Sequence, residues 1–169
     1  MRAPHTFNAA AIVVVLLLAV IGCGGPEEKK AKYLALAQDY IQGGNFPKAR
    51  VAIRNALKID PKDPEAYFFY AEIEEKEKNW RNAFASYQRT VELKPDHQRA
   101  LIKLAKFYLE ARAMDKVLEM TDKVLDKSPG QVEAETLRIA VQAVNGNLSE
   151  ATLAAEELGL VEALRRMVG

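Results

Sequence analysis

Three prolines, Pro61, Pro95 and Pro129, stand 34 residues apart, and no other feature of the chain constrains its fold as strongly. A fixed period of this size marks a supersecondary unit that covers its apolar face only by stacking on copies of itself. Counting backward from each proline divides the chain into segments 30–63, 64–97 and 98–131, with a weaker fourth over 132–159.

In the first segment Tyr33, Leu36, Tyr40, Gly44, Ala49, Ala56 and Pro61 fall where tetratricopeptide repeats carry aromatic, aliphatic, aromatic, glycine, alanine, alanine and proline. The segment resembles that family closely; Ala37 stands where a glycine is usual. The second keeps Tyr67, Ala71, Ala83, Tyr87 and Pro95 but has Lys78 at the turn glycine and Glu74 at the second aromatic. The third keeps Leu104, Ala105, Tyr108 and Pro129, with Val117 at a small-residue position, and the fourth keeps only Gly146 and Ala151. Small residues at Ala49, Ala83 and Ala151 let antiparallel helices approach closely, while aromatics fill the gap between hairpins. Gly44 and Gly146 suit the positive φ of a helix C-terminus. Asp63-Pro64 offers a side-chain cap followed by proline in the first turn.

The resemblance implies an all-α fold: a tetratricopeptide-type right-handed α-α superhelix of four stacked hairpins, first helices lining a concave face and second helices outside. Residues 160–169 read as one last helix. Its Leu160, Val161, Leu164, Met167 and Val168 make a poor polar cap for the end of a stack, so this helix folds back on the fourth hairpin or belongs to a shortened array.

Upstream of the repeats, Ala9 to Ile21 is a run of thirteen residues with no charged side chain, preceded by Arg2. As a helix it covers only about 20 Å, short of the roughly 30 Å hydrocarbon core of a bilayer, so it reads as the apolar core of a signal peptide. Val20-Ile21-Gly22-Cys23 resembles the lipobox of bacterial lipoproteins, which implies cleavage after residue 22, lipidation of Cys23, and membrane attachment through that lipid. Residues 23–30, with Gly24-Gly25-Pro26 and a charged stretch, then read as a lipidated tether. Cys23 is the only cysteine, so no disulfide supports the fold and packing has to suffice. With Arg2 removed, 23 basic residues face 23 acidic ones. That balance supplies no basic field for phosphate and excludes nucleic acid as a partner.

No catalytic constellation accompanies the repeats. The mature part holds a single histidine, His97, beside Asp96, and with no second ligand or nucleophile at useful spacing it reads as a solvated turn residue. The run Glu72 to Lys78 reads as a solvated helix face, and Trp80 as a packing residue at a hairpin turn. The chain is therefore expected to be no enzyme, with no cofactor, metal or small-molecule substrate.

The family points certain first-helix positions into its groove, and here these are Leu34, Gln38 and Ile41, then Phe68, Glu72 and Glu75, then Arg99, Ile102, Lys106 and Leu109. Their mixture suits an extended or helical peptide held by apolar anchors, with Phe68, Ile102 and Leu109 as anchors and Arg99 and Lys106 fixing orientation. Leu34 and Phe69 stand where chaperone-binding members carry polar groups of a carboxylate clamp, so that activity is not expected.

These features together point to a membrane-anchored scaffold lipoprotein that binds a protein or peptide segment of an envelope complex, with a tethered enzyme or a plain spacer as less favoured classes. The order of features and the phrase Asn55-Ala56-Leu57-Lys58-Ile59-Asp60-Pro61 are similar to the start of the tetratricopeptide lipoprotein of exosortase (PEP-CTERM) sorting systems. A pilotin-like lipoprotein of type IV pilus secretin assembly is the alternative. Gly24 after the lipidated position, where an aspartate signals inner-membrane retention, places the chain on the periplasmic face of the outer membrane.

Overall fold

A computed structural model of the chain describes residues 25–157 and 159. The signal segment, Cys23 and the expected helix over 160–169 lie outside the described residues. Among those described, the chain forms α1 (Pro26–Gln42), α2 (Phe46–Ile59), α3 (Pro64–Lys76), α4 (Trp80–Leu93), α5 (Gln98–Glu110), α6 (Met114–Leu125), α7 (Val132–Val144) and α8 (Leu148–Glu157). They pair in sequence as four hairpins, and the second helix of each hairpin packs on the first helix of the next. This is the hairpin stack expected from the 34-residue period.

Helix starts follow from local chemistry. The Asp63 carboxylate accepts the Ala66 N–H at 2.9 Å ahead of Pro64, satisfying one of the amides a helix N-terminus leaves without an intrahelical partner. Asn45 and Gln131 do the same for α2 and α7. One boundary differs from the sequence reading. Helix α1 begins at Pro26, so Glu27 to Lys30, expected as tether, are its first turns. Proline is tolerated there because its missing N–H has no helical partner to lose. Lys30 also reaches Asp60 at 3.0 Å and Asp63 at 3.1 Å, tying α1 to the second hairpin.

The four hairpin turns share one geometry. In each, two consecutive N–H groups bond back to first-helix carbonyls, for example Gly44 to Ile41 and Asn45 to Tyr40, then Lys78 to Glu75 and Asn79 to Glu74. The first residue of each pair is left-handed: Gly44 at φ 70° and Gly146 at 92°, but also Lys78 at 62° and Arg112 at 58°. Stack geometry thus enforces the turn even where a Cβ is penalised.

Ala37, Ala49, Ala56, Ala71, Ala83 and Ala105 are fully buried, letting helix backbones approach as their positions in the repeat imply. Larger side chains fill the space between hairpins. Phe68 lies 5.6 Å from Tyr87, centroid to centroid, and Tyr87 lies 6.2 Å from Phe107, so one aromatic row crosses the second and third hairpins. A single apolar core runs from Ala37 to Val141, with a smaller cluster closing α7 on α8.

Candidate protein-binding face

The helices α1, α3, α5 and α7 share one side of the stack, and the residues read as groove-lining divide there by burial. Leu34, Ile41 and Leu109 are half-buried and Gln38 is exposed. Glu72 and Glu75 are also half-buried. Phe68 and Ile102 are not available to a partner. They are 2% and 4% exposed; they are equivalent positions 34 residues apart, and Phe68 turns into the seam where α3, α4 and α5 meet. Phe68 sits under the Arg99 guanidinium, 4.3 Å from ring centroid to Cζ, and against the His97 ring at 5.0 Å. The reading of these two side chains as partner anchors is therefore corrected: they hold the array together.

The cations assigned to orient a partner, Arg99 and Lys106, are also engaged within the chain, as is Lys103 between them. Arg99 pairs with Glu65 at 2.5 Å, Lys103 with Glu75 at 2.9 Å and Lys106 with Glu133 at 2.9 Å. Each pair joins a first helix to the next first helix, so α5 is stitched to α3 on one side and α7 on the other. Glu75 accepts from the Tyr87 hydroxyl as well. Burial and that bond push the Tyr87 phenol well above its ordinary value. Glu72 differs from its neighbours: burial raises its carboxyl above the usual range, although Lys103 and Arg99 act in the opposite direction.

Two further readings change. His97 is 4% exposed rather than solvated. Its Nδ1 accepts the Ala100 N–H at 3.2 Å as the cap of α5, and its Nε2 faces Glu65 Oε1 at 2.9 Å. An imidazole that accepts on Nδ1 carries its proton on Nε2, which makes Glu65 the acceptor. The hydrogen bond from His97, against the effect of burial and with Arg99 nearby, holds Glu65 below the usual carboxylate range. Within the charged run, Glu74 is only 2% exposed. Burial alone raises its pKa, yet bonds from Arg50, Asn82 and Tyr70 outweigh it and keep the carboxylate below the ordinary range. The Arg50 contact, at 2.6 Å, crosses from the first hairpin to the second and explains a glutamate where the repeat usually has an aromatic.

Trp80, read as a packing residue, is 54% exposed. It lies on the helical stripe of Ala83 and Tyr87 at the first turn of α4, where the edge of Phe107 meets the ring at 6.3 Å. Trp80, Phe107, Lys103, Lys106, Glu75 and Glu110 line a small cleft of about 90 Å³. Sequence reasoning missed Trp80, Phe107 and Lys103 as a group. Their common signal is the 27-residue step from Trp80 to Phe107, which joins the start of one second helix to the end of the next first helix.

Among the described residues, no group of three or more His, Cys, Asp or Glu is arranged to hold a metal ion, and no helix is long and apolar enough to cross a membrane. The site offers an apolar-and-aromatic surface edged by paired charges, which is the chemistry of protein contact.

The family described as the tetratricopeptide repeat protein 21 C-terminal ARM domain matches residues 25–140. Among curated proteins, the type IV pilus assembly protein PilF of Pseudomonas aeruginosa is 32% identical over an alignment covering 47% of this chain and 39% of PilF. Among solved structures, a functional characterization of Pseudomonas aeruginosa pilF gives a TM-score of 0.68 at 21% identity, covering 79% of this chain and 61% of that one. The crystal structure of MamA gives 0.64 at 19% identity, covering 88% and 85%. PilW, described as a widely conserved type IV pilus biogenesis factor, gives 0.62 at 20%, covering 82% and 76%. The chain thus spans about two fifths of the length of the curated pilus protein it matches, and the structural likenesses concern the fold.

Proposed function

Because the chain belongs to the family of the tetratricopeptide repeat protein 21 C-terminal ARM domain, we propose that it is a lipid-anchored scaffold that binds a protein segment in a bacterial envelope assembly. The observation that carries this reading is the division of the first-helix face. Phe68, Ile102 and the cross-hairpin ion pairs are consumed in holding the array rigid. Leu34, Ile41 and Leu109 remain on that face, and the exposed Trp80 of α4 adjoins it across the cleft with Lys103 and Phe107, as a discontinuous apolar surface. A rigid surface with a few apolar anchors binds a partner at low ordering cost.

Of the two envelope systems, the pilus reading has the stronger support, since PilF of Pseudomonas aeruginosa is named for type IV pilus assembly and is 32% identical over 47% of this chain. The phrase Asn55 to Pro61 is used by the fold itself: Ala56 is fully buried, and the Asp60 carboxylate accepts from Lys62 N and Lys30 Nζ. It therefore supports the repeat and no particular sorting system. A scaffold with no chemistry of its own is the enzymatic corollary.

Anchoring is tested by Cys23→Ser in the full chain. Three acyl chains, each worth roughly 0.8 kcal/mol per buried methylene, give stable membrane attachment. The wild type is expected in the membrane fraction and the serine variant, if exported, in the soluble fraction. A serine variant that is processed normally and stays on membranes ends the lipoprotein reading.

A further inference from the structure

The junction between the second and third hairpins is more open at its turn edge than the junctions on either side. Trp80 is 54% exposed, whereas Phe46 and Met114, 34 residues before and after it, are half-buried against the core. Phe107 is half-buried, although Ile73 and Val141, its equivalents in the second and fourth repeats, are at most 2% exposed. Two large aromatics thus meet at 6.3 Å without closing the seam, and a cleft of about 90 Å³ is left beside them. Phe84 and Tyr87 back Phe107 at 5.7 and 6.2 Å, which fixes that wall. The cleft has room for one side chain and not for a helix.

The charge around the opening is one-sided. Over residues 75–81 and 109–116, Glu75 is paired with Lys103, Glu77 with Arg50 and Lys116 with Glu119. Lys76, Lys78, Arg81 and Arg112, all exposed, are left against Glu110 and Asp115, and none of these six is held in an ion pair among the described residues. Two of the four cations stand where a side chain is penalised. Lys78 and Arg112 are left-handed, in the turn position that Gly44 and Gly146 hold in the outer hairpins. The two turns that carry a base in place of glycine are the two on either side of the cleft, and strain kept at a charged position points to a use for the charge.

We propose that this cleft receives one apolar side chain of an acidic protein segment, whose carboxylates meet Lys78, Arg81 and Arg112 at the rim. The proposal rests on the scaffold reading and gives its partner a chemistry and a point of entry. An apolar anchor suits aromatic walls, and Lys103 and Lys106, which also line the cleft, repel a cationic one. Carboxylates on either side of that anchor find cations that no acid of the chain already holds. One buried anchor inside a charged rim is a common division of labour: the anchor supplies affinity, and the rim speeds encounter and selects the partner.

Trp80 is the only tryptophan of the chain, so its emission reports on the cleft directly. The full chain in detergent is titrated with three short synthetic peptides: a central leucine among aspartates and glutamates, the same peptide with glycine for the leucine, and the same leucine among lysines. The first is expected to shift the emission to the blue and to protect it from acrylamide, and the other two to bind at least about tenfold more weakly. Raising salt to about 1 M, where the screening length falls to about 3 Å, is expected to weaken the first. The double variant Lys78→Gly, Arg112→Gly relieves both turns and keeps the fold, checked by circular dichroism and thermal melting, so its expected several-fold weaker binding of the acidic peptide reports lost charge. Equal binding of the acidic and lysine-flanked peptides, undiminished binding by the double variant, or no response to the acidic peptide at millimolar concentration overturns the proposal. A photoreactive residue at Leu109 in cells separates it from the reading beneath it. The adduct is expected to fall several-fold in the double-variant background; an undiminished adduct overturns the acidic segment and leaves the scaffold standing, whereas no adduct in the otherwise wild-type chain removes the scaffold reading and this proposal with it.

Discussion

His97 Nε2 stands 2.9 Å from Glu65 Oε1 while its Nδ1 caps the helix that follows it, so one imidazole joins the second hairpin to the third. It does so from beneath the surface, stacked on Phe68. Replacing His97 with Ala removes a cap and buried ring area together and is expected to cost about 2–3 kcal/mol in urea unfolding. His97→Asn restores a good capping side chain and is expected to recover part of that loss, on the order of 1 kcal/mol. Equal stability of Ala and Asn variants would show that the cap contributes nothing.

Two neighbouring glutamates should respond to neutralisation with opposite signs. Glu74 is held below its ordinary value of 4.5, so its contribution is present above that pH and is lost as pH falls through the depressed value. Glu72 is held above 4.5; its contribution is present below that pH and is lost as pH rises through the raised value. At neutral pH, Glu74→Gln is expected to lower stability by roughly 1–3 kcal/mol, since it weakens a buried acceptor of Arg50, and to flatten the acid limb of a Tm-against-pH curve. Glu72→Gln is expected to raise Tm at the same pH. Shifts of the same sign for both variants would contradict this reading of the face.

Lys78 and Arg112 occupy left-handed turns at φ 62° and 58°. Glycine at either position relieves the Cβ penalty, and each substitution is expected to stabilise by about 1 kcal/mol, read as a higher urea midpoint at unchanged m. Destabilisation by both would mean that their side chains supply contacts worth more than the strain.

The period made the hairpins legible from the chain alone: Gly44, Gly146, the buried alanines and the Asp63 cap all have the roles their positions imply. Which first-helix side chains face a partner was less legible. Phe68 and Leu109 lie on the same face of their first helices, Leu109 about two turns further along its own, yet Phe68 is buried and Leu109 half-exposed. The difference lies in what the next hairpin brings over them, His97 and Arg99 in the first case. Burial of Glu74 was hidden for the same reason, since its partner Arg50 lies in another hairpin. The exposure of Trp80 depends on what the next hairpin places against the start of α4, which periodicity along one helix does not report.

Stability and binding should consequently separate between two aromatics. Phe68→Ala is expected to cost about 3–5 kcal/mol as a core truncation and to lower helicity on warming. Trp80→Ala, at a 54% exposed position, is expected to change stability by less than about 1 kcal/mol while weakening partner binding by more than about 1 kcal/mol. Unfolding curves alongside titration with the partner check both.

The central claim, that the first-helix face is the binding surface of a membrane-anchored scaffold, is tested most directly by site-specific photocrosslinking in intact cells. A photoreactive residue is placed in the full chain at Leu34, Gln38 or Leu109 on that face, or at Gln88 or Lys123 on the second helices. The account predicts one discrete heavier adduct from the first three positions and none from the last two. Adducts from Gln88 and Lys123 alone, or equal labelling at all five, would contradict it.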